Sequence, residues 1–216
     1  MKSQKKYEPT FSFEFFPPRT PEAVGKLQMT QERLAKLQPS FFSVTFGAGG
    51  STRDRTMETV LDIRDKTGIE GVPHVSCIGS MAEDIKAILQ SYLDNDIRHL
   101  VALRGDLPSG TSGMGPFRYA NELVEFIRKE TGDAFHIEVA CYPEFHPQAA
   151  TAKADLANFK RKVDAGANSA ITQYFYNPDA YFRFVNECEK MGMDIPIVPG
   201  VMPIINCTQL VRFSEA

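Results

Sequence analysis

A chain of 216 residues with 43% apolar and 24% charged residues has the composition of a soluble globular protein of one large domain or two small ones. Its 24 basic and 27 acidic residues give a formal charge of -3 without a basic cluster, so we expect neither a nucleic acid nor a membrane surface as partner. The apolar runs fall far below the about 20 residues of a membrane span, and residues 1–10 lack the apolar core of a signal peptide. These features predict a cytoplasmic protein with a small-molecule ligand.

Strand-like and helix-like patterns alternate along the chain after residues 1–10, which we expect to form a flexible tail. Strands are predicted near residues 11–16, 41–46, 71–77, 98–104, 136–142, 169–175 and 196–202. Amphipathic helix patterns lie between them, at 22–37 and 116–130 among others, and residues 149–166 form a further segment that ends at Gly166. Repeated βα units without a linker predict a single catalytic α/β domain over residues 11–216.

The number of predicted strands bears on the fold. Seven strands can be counted, whereas a TIM (β/α)8 barrel has eight. The predicted fold is therefore a TIM barrel that is truncated after its seventh strand. Since an open sheet exposes unpaired backbone at its edges, we expect that the natural protein continues beyond Ala216 or that a partner chain completes the barrel.

Polar side chains occur at or near the carboxyl end of most predicted strands. They are Glu14, Thr45, His74, Arg104, Asp106, Tyr142 and Gln173. Because side chains alternate between the two faces of a strand, Ser12, Glu14 and Phe16 should lie opposite Phe11, Phe13 and Phe15. Parallel strands that each bring one reactive group to a common rim are typical of a barrel active site.

Several of these residues also have a structural interpretation. Apolar neighbours would raise the pKa of Glu14 and suit it to donate a proton, but Glu14 could instead pair with a basic residue of the barrel. Arg104 and Asp106 are separated by one glycine and are therefore expected to share a face, where they could form a salt bridge. His74 alone would more often be a hydrogen-bonded core residue than a ligand.

Two side chains on other elements have similar alternatives. Gln173 can recognise an amide or a pterin-like edge through its paired donor and acceptor, or it can be a buried structural glutamine. Lys162 belongs to a charged helix segment, which is usually a solvated face. The long loop 107–115, after the fourth predicted strand, either covers a ligand or is a plain connector.

Common cofactor and metal motifs are missing from the sequence. The glycine-rich segment 47–52 satisfies neither the P-loop pattern nor GxGxxG, although its glycines could let the backbone approach a ligand. The cysteines at 77, 141, 188 and 207 are widely separated, which predicts reduced, packed thiols. The histidines at 74, 99, 136 and 146 show no metal-binding spacing, so no metal site is predicted.

Seven sequence strings together carry a family resemblance. They are FSFEFFPPRT, SVTFGAGGSTRDRT, PHVSCI, IRHLVALRGDLP, ACYPEFHPQA, ADLANFKRKVDAGANSAITQYFYN and IVPGVMPI. Their identity and order resemble the methylenetetrahydrofolate reductases of the bacterial type over residues 11–213. The resemblance implies a barrel flavoprotein that binds FAD without a Rossmann fold, which agrees with the missing GxGxxG.

The resemblance also implies an activity. NADH or NADPH would deliver hydride to FAD and leave, and the reduced cofactor would then convert 5,10-methylenetetrahydrofolate to 5-methyltetrahydrofolate in a ping-pong reaction. This oxidoreductase of one-carbon metabolism would supply methyl groups for methionine biosynthesis. We also expect a homo-oligomer.

Motif matching implies roles for individual residues. Glu14 occupies the position of the general acid that protonates the folate's ring nitrogen, and Asp106 lies beside flavin and folate, where its charge tunes both half-reactions. The positions that match the FAD-binding residues are Thr45, Phe46, Ala48, His74, Arg104, Gly105, Asp106, Tyr119, Ala120, Tyr142, His146, Ala149, Asp155, Asn158, Arg161 and Lys162. Among them, Arg161 and Lys162 would meet the phosphates. The substrate positions are Glu14, Asp106, Gln173, Gln209 and Phe213, the last stacking on nicotinamide and folate in turn.

The match has one departure. The family's eighth strand, and an arginine associated with the folate's glutamate tail, have no counterpart before residue 216, which puts folate affinity in doubt. Two other interpretations remain: a pterin-dependent methyltransferase barrel, which needs no flavin, and a non-catalytic barrel subunit that a partner completes.

Overall fold

The computed structural model describes residues 1–46, 50–106, 115–203, 206, 208 and 211, and for residues 50–54 it describes the backbone only. The strands are β1 (Phe13–Phe15), β2 (Phe41–Val44), β3 (Glu70–Ser76), β4 (His99–Leu103), β5 (His136–Cys141), β6 (Ser169–Thr172) and β7 (Ile197–Val198). The α-helices are α1 (Pro21–Ala35), α2 (Gly50–Thr67), α3 (Ala82–Asp94), α4 (Ala120–Thr131), α5 (Ala152–Asp164) and α6 (Pro178–Lys190). No helix in the described ranges is both long and apolar enough to cross a membrane.

All seven strands are parallel and follow one another in a single sheet in the order β1 to β7. Helices connect consecutive strands, as repeated βα units require. Within the described residues β1 and β7 do not pair with each other, so the sheet is an open, barrel-like layer. The predicted α/β barrel class with seven strands is confirmed.

Several elements are shorter than the sequence predicts, for local reasons. Pro17 and Pro199 have no backbone N–H to donate, and β1 and β7 end just before them. Helix α4 begins at Ala120 and not at 116, because the Glu122 carboxylate accepts hydrogen bonds from the backbone N–H groups of Arg118 and Tyr119, at 2.6 and 3.1 Å. Similarly, the Thr151 side chain caps α5 by accepting from Ala154 N at 3.1 Å.

The core lies between the sheet and the helices. Phe42, Leu100 and Ile137 face outwards from the sheet and are fully buried against helical residues such as Ile63 and Leu123. Phe13 and Phe15 join this layer, with ring centroids 6.1 and 5.3 Å from that of Phe42. The predicted apolar face of β1 is thus confirmed for these two residues, whereas Phe11 is 48% exposed.

The amino-terminal segment contacts the far end of the sheet. Residues Ser3–Lys6 form a 3-10 helix, and the Gln4 side chain accepts a hydrogen bond from Ile197 N at 2.8 Å and donates one to Ile195 O at 3.1 Å. The Lys6 ammonium pairs with Asp194 at 2.5 Å. Flexibility of residues 1–10 stays a prediction, and these contacts favour a docked segment over a free one.

Three of the four cysteines lie in the described part of the chain. Cys77, Cys141 and Cys188 are buried and free, as predicted, and Cys207 falls outside that part. Burial raises the pKa of Cys77 and of Cys188 to about 12, so both thiols stay protonated at neutral pH.

Candidate active site

The parallel register brings the predicted polar residues to one rim of the sheet. Glu14 pairs with Ser43 across β1 and β2, and Thr45 directly follows β2, where its backbone N–H still donates to Phe15 O at 2.9 Å and so keeps it next to the end of β1. His74 lies near the end of β3, and Tyr142 and Gln173 directly follow β5 and β6. The carboxyl ends of parallel strands lie at the same edge, so these side chains surround a common mouth.

A carboxyl group and an imidazole meet inside this mouth. Glu14 Oε2 lies 3.6 Å from His74 Nε2. The His74 side chain is only 6% exposed, and burial lowers the pKa of His74 to about 4 even though the charge of Glu138 opposes this. Burial also raises the pKa of Glu14, although 52% of its side chain is exposed. At neutral pH His74 is therefore an uncharged neighbour and cannot act as a counter-ion to Glu14.

The basic partner considered for Glu14 from the sequence is not found: among the ion pairs of the described residues, only the uncharged His74 is close to this carboxylate. A lysine or arginine would have lowered the pKa of Glu14. His74 is buried as a core residue would be, yet its Nε2 atom has no hydrogen-bond partner. Buried polar atoms in proteins nearly always have a hydrogen-bond partner, so this ring nitrogen is available to a bound ligand.

Arg104, Gly105 and Asp106 lie beyond β4, which ends at Leu103, and not within it. Gly105 has a φ of +83°, and a Cβ atom there would lie 1.8 Å from Ser76 Oγ, so only glycine fits. Ser76 Oγ donates to Arg104 O at 2.9 Å and fixes this turn. Because the strand has ended, the alternation of faces does not set the directions of Arg104 and Asp106, contrary to the sequence prediction.

The predicted Arg104–Asp106 salt bridge does not occur among the ion pairs of the described residues. Instead, the Arg104 guanidinium donates to Gln148 Oε1 at 2.8 Å, in the loop between β5 and α5. Asp106 is exposed at the rim. The structure thus leaves the Asp106 carboxylate facing solvent, where a ligand can approach it.

The loop after β5 is held by its own predicted site residues. Asp155 Oδ2 accepts a hydrogen bond from His146 N at 2.9 Å, and the rings of Tyr142 and His146 meet edge to face with centroids 4.6 Å apart. Burial raises the pKa of Tyr142, with Asp155 and Asp106 adding to the effect and Arg104 opposing it. Three of the predicted residues, Tyr142, His146 and Asp155, therefore form one connected group, and Arg104 is close enough to influence the pKa of Tyr142.

Helix α5 carries Asn158, Arg161 and Lys162, which differ in the direction of their side chains. Arg161 is exposed and donates to Asn158 Oδ1 at 2.8 Å. Lys162 points inward, where its ammonium donates a short hydrogen bond to Ala140 O, and burial lowers the pKa of Lys162. The interpretation of Lys162 as part of a solvated helix face is therefore wrong, because this charge is directed towards the end of β5.

The remaining predicted residues lie around the same rim or outside the described part of the chain. Thr45, Phe46, Ala120 and Ala149 are half-buried, and Tyr119 and Gln173 are exposed. Gln173 is thus not the buried structural glutamine of the alternative interpretation; its Oε1 accepts from Tyr174 N at 3.0 Å. The predictions for Ala48, Gln209, Phe213 and most of loop 107–115 fall on residues that the structure does not describe.

Three exposed aromatic side chains near the strand ends were not proposed as site residues from the sequence. Phe16 follows β1 and is 73% exposed, Phe145 follows β5, and Tyr176 follows β6. Large apolar rings exposed next to polar groups are typical of ligand-binding surfaces. Their position at or shortly after the ends of predicted strands was the available signal. Together with the unpartnered His74 nitrogen and the Arg104 and Lys162 cations, they fit a large planar ligand with an anionic part.

A second group missed by the sequence lies at the opposite, amino-terminal end of the strands. His99, His136 and Glu138 place one ligand atom each within 4.8 Å of one another. The absence of a metal site stays a prediction, because it rested on spacing along the sequence and spacing does not reveal this group. Residues 99 and 136 are far apart in sequence but are direct partners in the β4–β5 register.

Comparisons with known proteins agree on one family. The family model for methylenetetrahydrofolate reductase matches residues 1–216. The chain is 48% identical to 5,10-methylenetetrahydrofolate reductase of Escherichia coli over 204 residues, which are 94% of this chain and 68% of that protein. It is 43% identical to methylenetetrahydrofolate reductase (NADH) 1 of Zea mays over 217 residues, covering 94% of this chain and 37% of that one.

Solved structures share the fold at low sequence identity. An uncharacterized protein from Clostridium thermocellum that binds two copies of 5-methyl-5,6,7,8-tetrahydrofolic acid matches with a TM-score of 0.65 and 13% identity, over 92% of this chain and 68% of its own. A phosphonopyruvate hydrolase matches with a TM-score of 0.63 and 10% identity, over 99% and 83% of the two chains. At such identities the matches support the α/β barrel fold alone. The sequence comparisons go further: this chain belongs to the methylenetetrahydrofolate reductase family.

Proposed function

We propose that the protein reduces 5,10-methylenetetrahydrofolate to 5-methyltetrahydrofolate, with bound FAD as cofactor and NADH or NADPH as electron donor. Family membership supports the reaction. The observation that carries the proposal for the site is Glu14, a carboxyl group of raised pKa at the barrel mouth, 3.6 Å from a buried neutral imidazole. The product would supply methyl groups for methionine synthesis.

Glu14 is suited to donate the proton that the folate's ring opening needs. The pKa of His74, about 4, lies below the raised pKa of Glu14, so a proton shared by this pair resides on the carboxyl oxygen. A general acid works best when it holds its proton close to the working pH. Glu14 would then protonate the leaving ring nitrogen and produce a cationic methylene group on the folate. Its exposed side chain lets solvent return the proton after turnover.

Asp106 would act on the same cationic species. Its carboxylate lies exposed on the rim after the fixed Gly105 turn, where it can approach a ligand in the mouth. A fixed negative charge near a developing positive charge stabilises it, most strongly where water is excluded. Gln173, exposed after β6, would hold the pterin edge through its amide.

The rim offers suitable groups for FAD. His74, Arg104, Tyr142 and the loop held by Asp155 would contact the cofactor, and the inward-pointing Lys162 would complement an anionic part. When bound, FAD supplies the centre that accepts hydride from the nicotinamide and passes it to the folate. The chain's own part is to orient both ligands and to provide the proton.

Three measurements on the purified protein test the proposal: the flavin absorption bands, the oxidation of NADH or NADPH, and the formation of 5-methyltetrahydrofolate. We expect bound FAD and reduction that depends on the folate substrate. A protein that binds the folate without flavin and transfers its methyl group would be a methyltransferase. A protein that binds neither ligand would be a non-catalytic subunit. Either result would overturn the proposal.

A further inference from the structure

Five polar side chains meet inside the barrel at the amino-terminal end of its strands, away from Glu14. This basal cluster consists of Glu70, His99, His136, Glu138 and Ser169. The first residues of β3, β4, β5 and β6 contribute four of them, and Glu138 is the third residue of β5. The cluster lines a cavity of about 460 Å³ that the proposed reaction does not use.

Two facing atoms of the cluster lack hydrogen bonds. Glu138 is 3% exposed, and its Oε2 atom has no hydrogen-bond partner. The same holds for His99 Nε2, which lies 3.6 Å from that oxygen. This gap is longer than the about 2.7–2.9 Å of a charge-assisted hydrogen bond. It is close to the about 3.3 Å that separates two ligands bound to one tetrahedral zinc ion at about 2.0–2.1 Å.

Neighbouring residues orient both of these atoms. Ser169 Oγ donates to Glu138 Oε1 at 2.9 Å, which leaves Oε2 for another partner. On the far side of the His99 ring, Nδ1 lies 3.8 Å from Glu70 Oε2. A histidine that ligates a metal through one nitrogen usually directs the other towards a carboxylate. His136 offers a third ligand atom, within 4.8 Å of the other two.

The charges of the cluster suit a divalent cation. Although burial opposes it, the carboxylates of Glu138 and Glu70 raise the pKa of His99 to about 9, so without a metal ion a proton on this imidazole offsets one of the two negative charges at the floor of the barrel. Arg98 lines the same cavity, but its guanidinium donates to Leu93 O at 3.2 Å and lies 3.3 Å from Asp96. A dication between His99 and Glu138 would neutralise both carboxylates.

We propose that His99, His136 and Glu138 bind a divalent transition-metal ion of the zinc type at the base of the barrel. Two imidazoles and one carboxylate form a common donor set for zinc, and the cavity leaves room for water in the fourth position. The ion would tie β4 to β5 and, through Ser169, to β6. It would stabilise the folded barrel by binding it in preference to the unfolded chain. The site is independent of the proposed reduction.

Metal binding to the chelator-treated protein tests this site. Zn²⁺ is titrated in competition with a chromophoric chelator, and Co²⁺ is added separately because its visible absorption reports tetrahedral coordination. We expect one ion per chain and a higher unfolding temperature with Zn²⁺. His136→Gln and Glu138→Gln should abolish the stoichiometric binding, and Glu70→Gln should weaken it by about 10–100-fold.

His146→Gln is the matched control, because it removes a histidine from the opposite rim and should leave the stoichiometry unchanged. The exposed His136 keeps the test valid if a change at the buried Glu138 impairs folding, and circular dichroism checks the fold of each variant. Absence of one-to-one binding, or binding that survives both ligand substitutions, would overturn the proposal. The cluster would then contain no metal ion, and a proton on His99 alone would link this ring to the carboxylates of Glu70 and Glu138.

Discussion

Mild acid should destabilise the protein through His74. Burial lowers the pKa of this residue from 6.5 to about 4 in the folded chain. The folded pKa is the lower one, so the contribution of His74 to stability is fully present above pH 6.5 and is lost as the pH falls towards 4. Each pH unit between these values corresponds to about 1.4 kcal/mol, so the loss amounts to about 3 kcal/mol over this interval.

Urea unfolding of the wild type and of His74→Gln at a series of pH values measures this loss. Glutamine does not titrate, so the difference in unfolding free energy between the two proteins should change by about 3 kcal/mol between pH 6.5 and 4, to the disadvantage of the wild type. Effects of other groups cancel in the difference. Glu125→Gln, an exposed change on α4 that keeps His74, should retain the wild-type dependence. A difference that stays constant with pH would refute the burial of a neutral His74.

Two further predictions concern the segment after β4. Asp106→Asn should raise the midpoint potential of bound FAD, because it removes a negative charge that opposes flavin reduction; redox titration measures this, and an unchanged or lower potential would contradict it. Gly105→Ala should be more destabilising than Gly68→Ala, since both positions have positive φ but only at 105 would the new Cβ lie 1.8 Å from Ser76 Oγ. Equal unfolding midpoints for the two variants would show that the turn accommodates a side chain.

The sequence predicts the barrel well because its signals are local. Short apolar runs mark the strands, and their alternation with amphipathic helices specifies parallel βα units. The boundaries were less predictable, since they depend on single contacts: the carboxylate of Glu122 delays the start of α4, and Pro199 stops β7. Motif matching predicted site residues that the structure places around one rim, but it could not give their environments.

The environments that differ from expectation all arise from tertiary contacts. Position in the sequence does not distinguish Lys162 from a solvated lysine. In the folded chain its ammonium is directed to Ala140 O, at the end of β5. His99 and His136 are far apart in the sequence, and only the register of β4 and β5 shows that they are direct neighbours. The use of NADH or NADPH as electron donor stays a prediction. The homo-oligomeric state and the cytoplasmic location also stay predictions. So do the roles of Ala48, Gln209 and Phe213.

The central claim is that Glu14 supplies the proton for folate reduction, and Glu14→Gln tests it most directly when the two half-reactions are measured separately by stopped-flow absorbance of the flavin. The variant should bind FAD and be reduced by the nicotinamide cofactor as the wild type is, while reoxidation by 5,10-methylenetetrahydrofolate slows by about 10²–10⁴-fold. Glu125→Gln, on the exposed face of α4, should leave both rates unchanged. Folate reduction at the wild-type rate in Glu14→Gln would contradict the assigned acid role, and equal loss of both half-reactions would indicate a structural one.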